Sequence, residues 1–170
     1  MKKFTTKQLV VSGLIAALYV VLTLGIAGLA YGEIQFRVSE ILVLLAFFNP
    51  AFIPAVTIGT FIANFVGPFG IIDALAGSAA SLVAMLMIWQ TRKMLGDKLP
   101  SLFVASLWPV LLNALYVPAL IILVDPDTPW AAFSAIGVSV AIGEFVVVSI
   151  IGIAIFMGLK NNKQFNGLMK

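Results

Sequence analysis

The sequence contains no cysteine and no histidine, and only 10% of its residues are charged. Without cysteine there are no disulfides or thiolate metal sites, and without either residue type there is no Cys–His or Ser–His catalytic pair. The sequence also has no Gly-x-x-x-x-Gly-Lys-Ser/Thr motif, which excludes ATP binding by a phosphate-binding loop of this type. The sequence therefore predicts no catalytic residues, no metal site and no cofactor, and it argues against an enzyme.

Apolar residues dominate the chain instead. They make up 62% of the 170 residues, and the mean hydropathy is +1.13. Soluble domains carry about 25% charged residues, and a soluble fold of this composition would expose large apolar patches. Apolar runs recur to the end of the chain, which excludes a single secretory signal. We therefore expect a multi-pass, all-α membrane protein in contact with lipid, with one domain over residues 1–170.

The basic residues are unevenly distributed along the chain. Nine of the ten fall into three clusters, which are Lys2, Lys3 and Lys7, then Arg92, Lys93 and Lys98, and finally Lys160, Lys163 and Lys170. The positive-inside rule places all three clusters on the cytoplasmic side. Both termini are then cytoplasmic, which requires an even number of spans. We interpret the clusters as topology determinants, so they give no reason to expect nucleic-acid binding.

Six transmembrane helices satisfy this requirement. A span needs about 20 residues, and proline starts or ends a helix, so Asn49-Pro50 and Pro54 divide the apolar stretch after the first span. The expected helices cover residues 8–29, 37–48, 51–66, 71–91, 101–124 and 131–159. The second and third are short, and we expect them to tilt, to stop short or to lie behind other helices.

The first helix carries small residues at four-residue spacing, Ser12 with Ala16 and Gly13 with Ala17. Small residues at this spacing let helix backbones approach closely in a membrane. Two interpretations stay open. The patch could serve packing within the chain, or arise by chance in a helix rich in Ala and Gly, or it could be a docking face for another membrane subunit.

Four ionisable residues lie where a bilayer disfavours charge, namely Arg37, Glu40, Asp73 and Glu144. A charge at the bilayer centre costs about 2.5–3.5 kcal/mol on insertion scales. Arg37 and Glu40 could simply pair, being three residues apart on a helix, and Asp73 could cap the fourth helix. Pairing with the one arginine neutralises only one of the three carboxylates, so two acids remain without a basic partner. The sequence therefore predicts a site for a cation, a proton or a ligand rich in hydrogen-bond donors.

Amide and aromatic side chains accompany these charges. Gln35, Asn64 and Asn113 add donors and acceptors that need partners when buried. Trp108 and Tyr116 lie within the fifth helix, where either could stack on a flat ligand ring, although packing is the commoner role of such residues.

From residue 31 to residue 64, YGEIQFRVSEILVLLAFFNPAFIPAVTIGTFIAN, the sequence resembles the QueT family of queuosine-precursor transporters. The likeness continues through DALAGSAASL at residues 73–82 and through Gly143-Glu144 in the sixth helix. It covers most of the chain. It is most specific in the IQFR-SE core and weaker in the fifth helix and the loop that follows.

The resemblance implies a substrate-binding S component of an energy-coupling factor importer, a six-helix bundle in the bacterial cell membrane. It implies a transmembrane coupling subunit and two cytoplasmic ATPase subunits as partners. In S components, small residues of the first helix contact the coupling subunit, and Ser12, Gly13, Ala16 and Ala17 are the matching candidates here. The implied ligand is a small deazapurine, with 7-aminomethyl-7-deazaguanine as the first choice.

This ligand suits the excess of acids. Its aminomethyl cation would be held by one carboxylate, and its guanine-like edge offers two adjacent N–H donors to a second. Arg37 would orient Glu40 or meet the ligand carbonyl, the amides would contact the carbonyl and ring nitrogens, and an aromatic ring would stack on the ligand. The expected contacts are Glu40, Asp73, Glu144, Arg37, Gln35, Asn64, Asn113 and Trp108.

Two other functions suit the same features. An S component for another cationic or purine-like vitamin would also need carboxylates in excess. A stand-alone proton-coupled carrier would use Glu144 and Asp73 as groups that titrate during transport.

Overall fold

The computed structural model of the protein describes residues 6–30 and 36–168, and this part of the chain is helical apart from short turns. The α-helices are α1 (Thr6–Gly25), α2 (Ala27–Ala30), α3 (Leu45–Phe48), α4 (Ile53–Val66), α5 (Gly70–Leu95), α6 (Leu99–Val124), α7 (Phe133–Glu144), α8 (Ile153–Leu159) and α9 (Lys163–Leu168). Short 3-10 helices cover Val38–Leu44, Pro50–Phe52 and Trp130–Ala132, and a π-helix covers Phe145–Gly152.

These elements form the six apolar helical segments that the sequence predicts. Four are long and apolar enough to cross a membrane: Thr6–Gly25, Gly70–Leu95, Leu99–Val124 and Trp130–Leu159. Two shorter apolar segments, Val38–Phe48 and Pro50–Val66, lie between the first and second of these. The described residues are therefore all-helical, and the chain is a multi-pass membrane protein.

The predicted break at Asn49-Pro50 is confirmed. Asn49 has an extended backbone, and its side-chain oxygen accepts a hydrogen bond from the Ala51 amide at 2.9 Å. Pro50 follows at the first position of the next helical turn, where its missing N–H is not needed. The break thus ends one short segment and starts the other.

The segment Val38–Phe48 lies in the interior of the bundle, in contact with α1, α5, α6 and the π-helix. Its apolar side chains are almost entirely buried, among them Val43, Leu44 and Phe47. Of the three arrangements expected for a short helix, the structure has the one in which other helices shield it. A segment covered by protein does not need the length of a lipid-facing span.

The remaining helices pack as neighbours in the order α1, α4, α5, α6 and α7. The first two run parallel, because Leu9 near the start of α1 lines the same groove as Ala51 just before α4. Farther along, a Cβ atom on Gly59 would lie 2.8 Å from Tyr19 Cβ and 2.9 Å from the Ala16 carbonyl oxygen. Glycine at this position lets α1 approach α4 closely.

One end of the bundle is held by an arginine. Arg92 Nη1 donates to the carbonyl oxygens of Phe47 at 2.5 Å and Phe48 at 2.6 Å. Its Nη2 lies 3.4 Å from Asp97, which also pairs with Lys160 at 3.6 Å. We call this group of five residues the arginine clamp. It brings the second and third basic clusters together beside the Asn49 turn, and α1 starts at the same end because it runs parallel to α4.

Two boundaries differ from expectation by more than two residues. The first span ends at Gly25 rather than at residue 29, and α2 follows it. The fourth continues past residue 91 to Leu95, because Arg92 and Lys93 occupy its last turn, where positive charge is favourable. Gly96, at φ +81°, ends it. The π-helix directly after Glu144 was not predicted at all, because FVVVSIIG is almost uniformly apolar.

Candidate functional site

Four ionisable side chains meet in the interior, away from the arginine clamp. Arg37, Glu40, Asp73 and Glu144 are 7%, 1%, 2% and 2% exposed. They come from three parts of the chain, since Arg37 directly precedes the segment Val38–Phe48 and Glu40 lies in its first turn, Asp73 lies in the first turn of α5 and Glu144 ends α7. Arg37 interacts electrostatically with Glu40 and Glu144, and Glu40 does so with Asp73. We call these four residues the acid cluster.

Asp73 has more side-chain partners than either glutamate of the acid cluster. Its Oδ2 lies 3.7 Å from Arg37 Nη2. Its Oδ1 accepts from the Tyr116 hydroxyl at 2.5 Å and from Asn64 Nδ2 at 3.2 Å, and the same Nδ2 also lies 3.2 Å from the Asp73 carbonyl oxygen. The ion pair with Arg37 was not expected, and Asp73 joins α4, α5 and α6 through its side chain.

A glycine makes room for this convergence. A Cβ atom on Gly77 would lie 2.4 Å from Asn64 Nδ2, 2.6 Å from Asp73 Oδ1 and 3.1 Å from the Tyr116 hydroxyl. Any larger residue at position 77 would separate these groups. The three hydrogen-bonding side chains can approach one another only because α5 has no side chain there.

Glu40 has one oxygen engaged and one unpartnered. The Tyr19 hydroxyl donates to Glu40 Oε1, and Tyr19 itself is fully buried. One turn farther along α1, Thr23 Oγ1 lies 2.6 Å from Ser39 Oγ. Glu40 Oε2, by contrast, is buried and has no hydrogen-bond partner among the described residues.

Glu144 repeats this pattern. Asn113 Nδ2 donates to Glu144 Oε1 at 2.8 Å, while Glu144 Oε2 and Asn64 Oδ1 are buried without a hydrogen-bond partner in the described part of the chain. Together with Glu40 Oε2 this makes three buried acceptors. Leaving such a group unsatisfied costs about 1–3 kcal/mol, and more when it is charged, so the site is suited to a ligand with several donors.

The structure brings six of the eight expected contact residues together, namely Arg37, Glu40, Asp73, Glu144, Asn64 and Asn113. Gln35 lies outside the described residues. Trp108 lies apart, because its indole N–H donates to Thr91 Oγ1 at 2.9 Å. Thr91 is about 27 Å along α5 from Asp73, at 1.5 Å per residue. Within residues 6–30 and 36–168, no three acidic side chains are grouped as metal ligands.

The sequence analysis missed Tyr19. In the structure this residue connects α1 to the acid cluster through its hydroxyl. A signal was present, since Tyr19 and Thr23 are four residues apart in an otherwise apolar stretch of α1 and so share one helix face. Tyr116 was considered only for its ring, and its hydroxyl contact with Asp73 was not foreseen.

The small residues of α1 lie beside α4. Ser12, Gly13 and Ala16 line an apolar groove of about 330 Å³ with residues at the start of α4, such as Pro54. Ala16 packs its backbone against Gly59, whereas a Cβ atom on Gly13 would meet no described atom within 4 Å. Ala17 is exposed. The patch therefore serves packing within the chain at Ala16 and leaves an open surface at Gly13.

Comparison with known proteins places this arrangement in a family. The sequence profile described as "QueT transporter" matches residues 9–161, which include the whole acid cluster. The curated protein "Queuosine precursor transporter QueT" of Lactococcus lactis subsp. cremoris (strain MG1363) is 48% identical over 85 residues, 49% of this chain and 50% of that protein. The alignment thus spans about half the length of the curated relative. No solved structure matches the chain significantly. The chain belongs to the QueT transporter family.

Proposed function

We propose that the protein is the substrate-binding S component of an energy-coupling factor importer. It binds a queuosine precursor, preferentially 7-aminomethyl-7-deazaguanine, outside the cell and delivers it inward. The observation that carries this proposal is the set of three buried acceptors on Glu40, Glu144 and Asn64 that have no hydrogen-bond partner in residues 6–30 and 36–168, in a chain of the QueT transporter family. The name of the Lactococcus relative, a queuosine precursor transporter, supports the ligand class.

The ligand supplies what these acceptors need. Its aminomethyl group is a cation at neutral pH, and its guanine-like edge carries adjacent N–H donors. Hydrogen bonds to a carboxylate are about twice as strong as neutral ones, so Glu40 and Glu144 are the contacts for the ammonium and the edge. With Arg37 and the ligand ammonium in place, two positive charges face the three carboxylates of the acid cluster.

The planar ring also needs a neighbour. Tyr116 is partly exposed and its hydroxyl lies on Asp73, which puts its ring beside the acid cluster, where it can stack on a flat ligand. Trp108, the other residue that the sequence suggested for this role, lies eight residues earlier in α6. Asn113 fixes one oxygen of Glu144, and Gln35 is proposed to read the ligand carbonyl.

The bundle is oriented with both termini in the cytoplasm. The arginine clamp gathers two basic clusters beside the Asn49 turn, and α1 begins at that end with Lys7. Positive charge favours the cytoplasmic side. The acid cluster lies away from this end, towards the outside, as expected for a site that captures a nutrient. The whole chain then acts as one membrane domain.

Energy for uptake comes from partners in this proposal. Two ATPase subunits supply it through a transmembrane coupling subunit, which docks on the open surface of α1 around Ser12, Gly13, Ala16 and Ala17. The apolar groove beside Gly13 suits a helix of another membrane protein, because small residues allow close backbone approach.

Docking is tested by Gly13→Leu, which adds a side chain at the groove, at a position where the Cβ atom would meet no described atom within 4 Å. Uptake of 7-aminomethyl-7-deazaguanine by cells that carry the ATPase module should be lost, while ligand binding by the purified chain stays at the wild-type level. Leu14→Ala, on an exposed neighbouring position, is the matched control. Normal uptake by Gly13→Leu would rule out docking at this groove.

The ligand is tested by calorimetric titration of the detergent-purified chain with 7-aminomethyl-7-deazaguanine and, as control, guanine. We expect tight binding of the former and at least about tenfold weaker binding of guanine, a difference of about 1.4 kcal/mol. A folded sample that binds neither compound would overturn the ligand assignment in favour of another vitamin. Uptake that needs no ATPase subunits would favour the stand-alone carrier.

A further inference from the structure

We infer that Asn64 selects the ligand through its side-chain oxygen, which accepts a hydrogen bond from one ligand N–H. Asp73 is a positioning residue that holds the Asn64 amide in the orientation this contact requires. The inference rests on the proposed function and changes the role of Asp73, which the sequence suggested as a direct ligand contact.

The orientation of the Asn64 amide follows from its neighbours. Asn64 is fully buried, and its Nδ2 lies 3.2 Å from both the carbonyl oxygen and Oδ1 of Asp73. Both neighbours are acceptors, so the reversed amide would face oxygen with oxygen and lose both hydrogen bonds. The Asn64 oxygen is therefore turned away from these two atoms, buried and without a hydrogen-bond partner among the described residues.

Asp73 differs from Asn64 in the number of its partners. One oxygen of its carboxylate accepts hydrogen bonds from Tyr116 and Asn64, and the other pairs with Arg37. A ligand donor that approached Asp73 would compete with these groups. A donor that approached the Asn64 oxygen would instead satisfy a buried acceptor, which is the more favourable contact.

A fixed amide discriminates more strongly than a mobile one. An asparagine that can rotate accepts from a donor in one orientation and donates to an acceptor in the other. Asn64 is held by two hydrogen bonds at the junction of α4 and α5, with the missing side chain of Gly77 allowing the approach. The site therefore favours a ligand with N–H at this point and disfavours one with a ring nitrogen or oxygen there.

The test compares the purified full-length chain with variants, using analogues of 7-aminomethyl-7-deazaguanine that each lack one donor. The analogues are the 2-deamino, the N1-methyl and the N9-methyl compounds. The variants are Asn64→Leu, which removes the oxygen, and Asp73→Asn. The matched control is Ser78→Ala, because Ser78 is buried on α5 and, among the described residues, its hydroxyl bonds only to carbonyl oxygens of its own helix. Asn64→Ser replaces Asn64→Leu if the leucine variant does not fold.

Asn64→Leu should bind the parent ligand about tenfold more weakly, the upper range for one hydrogen bond. For one analogue, the one whose missing donor meets Asn64, wild type and Asn64→Leu should bind equally. Such non-additivity identifies a direct contact. If Asn64→Leu weakens the parent and all analogues by the same factor, Asn64 contacts none of these donors and the inference is overturned.

Asp73→Asn tests the positioning role separately. Arg37 should attract the oxygen of the amide introduced at position 73. The NH₂ group of that amide then faces Asn64, and the Asn64 amide should reverse to present its oxygen to it. The preference for the parent over the matching analogue should then be lost, whereas Ser78→Ala should keep it. An unchanged preference in Asp73→Asn would overturn the positioning role of the Asp73 carboxylate. A folded wild-type chain that does not bind the parent would overturn the proposed function itself, a result distinct from either of these.

Discussion

The arginine clamp and the acid cluster both pair an arginine with acids, yet they differ in burial and in hydrogen bonding. In the clamp, the side chains of Arg92 and Asp97 are 31% and 45% exposed, and Arg92 donates hydrogen bonds to two carbonyl oxygens as well as to Asp97. In the acid cluster, the side chains of Arg37 and Asp73 are only 8% and 3% exposed, and buried acceptors nearby lack hydrogen-bond partners among the described residues. The comparison separates polar residues that hold the fold from polar residues that are suited to a ligand.

The largest effect is expected at the two glutamates. Glu40→Gln and Glu144→Gln keep the size of the side chain but remove its charge, so ligand affinity should fall about 100-fold, or about 2.7 kcal/mol, within the range for hydrogen bonds to charged groups. Calorimetric titration of the folded variants measures this. Asp97→Asn in the arginine clamp should bind like wild type. Wild-type affinity in both glutamine variants would remove the distinction between the two regions.

The next largest effect is expected in the clamp and concerns stability. Arg92→Ala leaves the Phe47 and Phe48 carbonyl oxygens without their donor, so the free energy of unfolding should fall by about 2 kcal/mol, measured by thermal unfolding in detergent. Affinity of the folded protein should stay within about twofold. Lys93→Ala, which removes an exposed contact over the Trp89 ring, should cost less. If Arg92→Ala weakened ligand binding and left stability unchanged, the clamp would belong to the site.

A smaller effect is expected at Gly77. The Cβ atom of Gly77→Ala would collide with Asn64 and Asp73, so the amide should shift and ligand affinity should fall about tenfold, as measured by titration. Gly158→Ala is the control, because its Cβ atom would meet no described atom within 4 Å. Equal affinities of the two variants would mean that the Asn64–Asp73 contact does not matter for binding.

The smallest effect is expected at Trp108. Trp108→Phe removes the hydrogen bond to Thr91, so stability should fall by about 1 kcal/mol, and ligand affinity should change by less than about twofold. Thr91→Val removes the same hydrogen bond from the other side and should match it in thermal unfolding. If Trp108→Phe lost affinity without losing stability, Trp108 would contact the ligand, as the sequence suggested.

The course of the chain could be largely predicted because it depends on local signals. Clustered basic residues and Asn49-Pro50 set the helix number and the main break. Which face of each helix is buried in the bundle could not be predicted, since a membrane helix is apolar on all sides and lacks the amphipathic pattern of a soluble one. For the same reason, the hydrophobic pattern could not predict that Val38–Phe48 is buried as a whole or that Phe145–Gly152 forms a π-helix.

The site was predictable in composition but not in its pairings. Acids in an apolar chain are costly enough that Glu40, Asp73 and Glu144 had to share an interior site. Which oxygens remain unpartnered depends on contacts between helices far apart in sequence, such as Tyr19 with Glu40 and Tyr116 with Asp73. Sequence spacing carries no information about those contacts.

The most direct measurement is a high-resolution structure of the full-length chain with 7-aminomethyl-7-deazaguanine bound. We expect ligand nitrogen atoms at hydrogen-bonding distance, about 2.7–3.2 Å, from Glu40 Oε2 and Glu144 Oε2, with Asp73 still bonded to Tyr116. A ligand bound elsewhere, with both glutamate oxygens still lacking a partner, would contradict the division between residues that hold the fold and residues that bind the ligand.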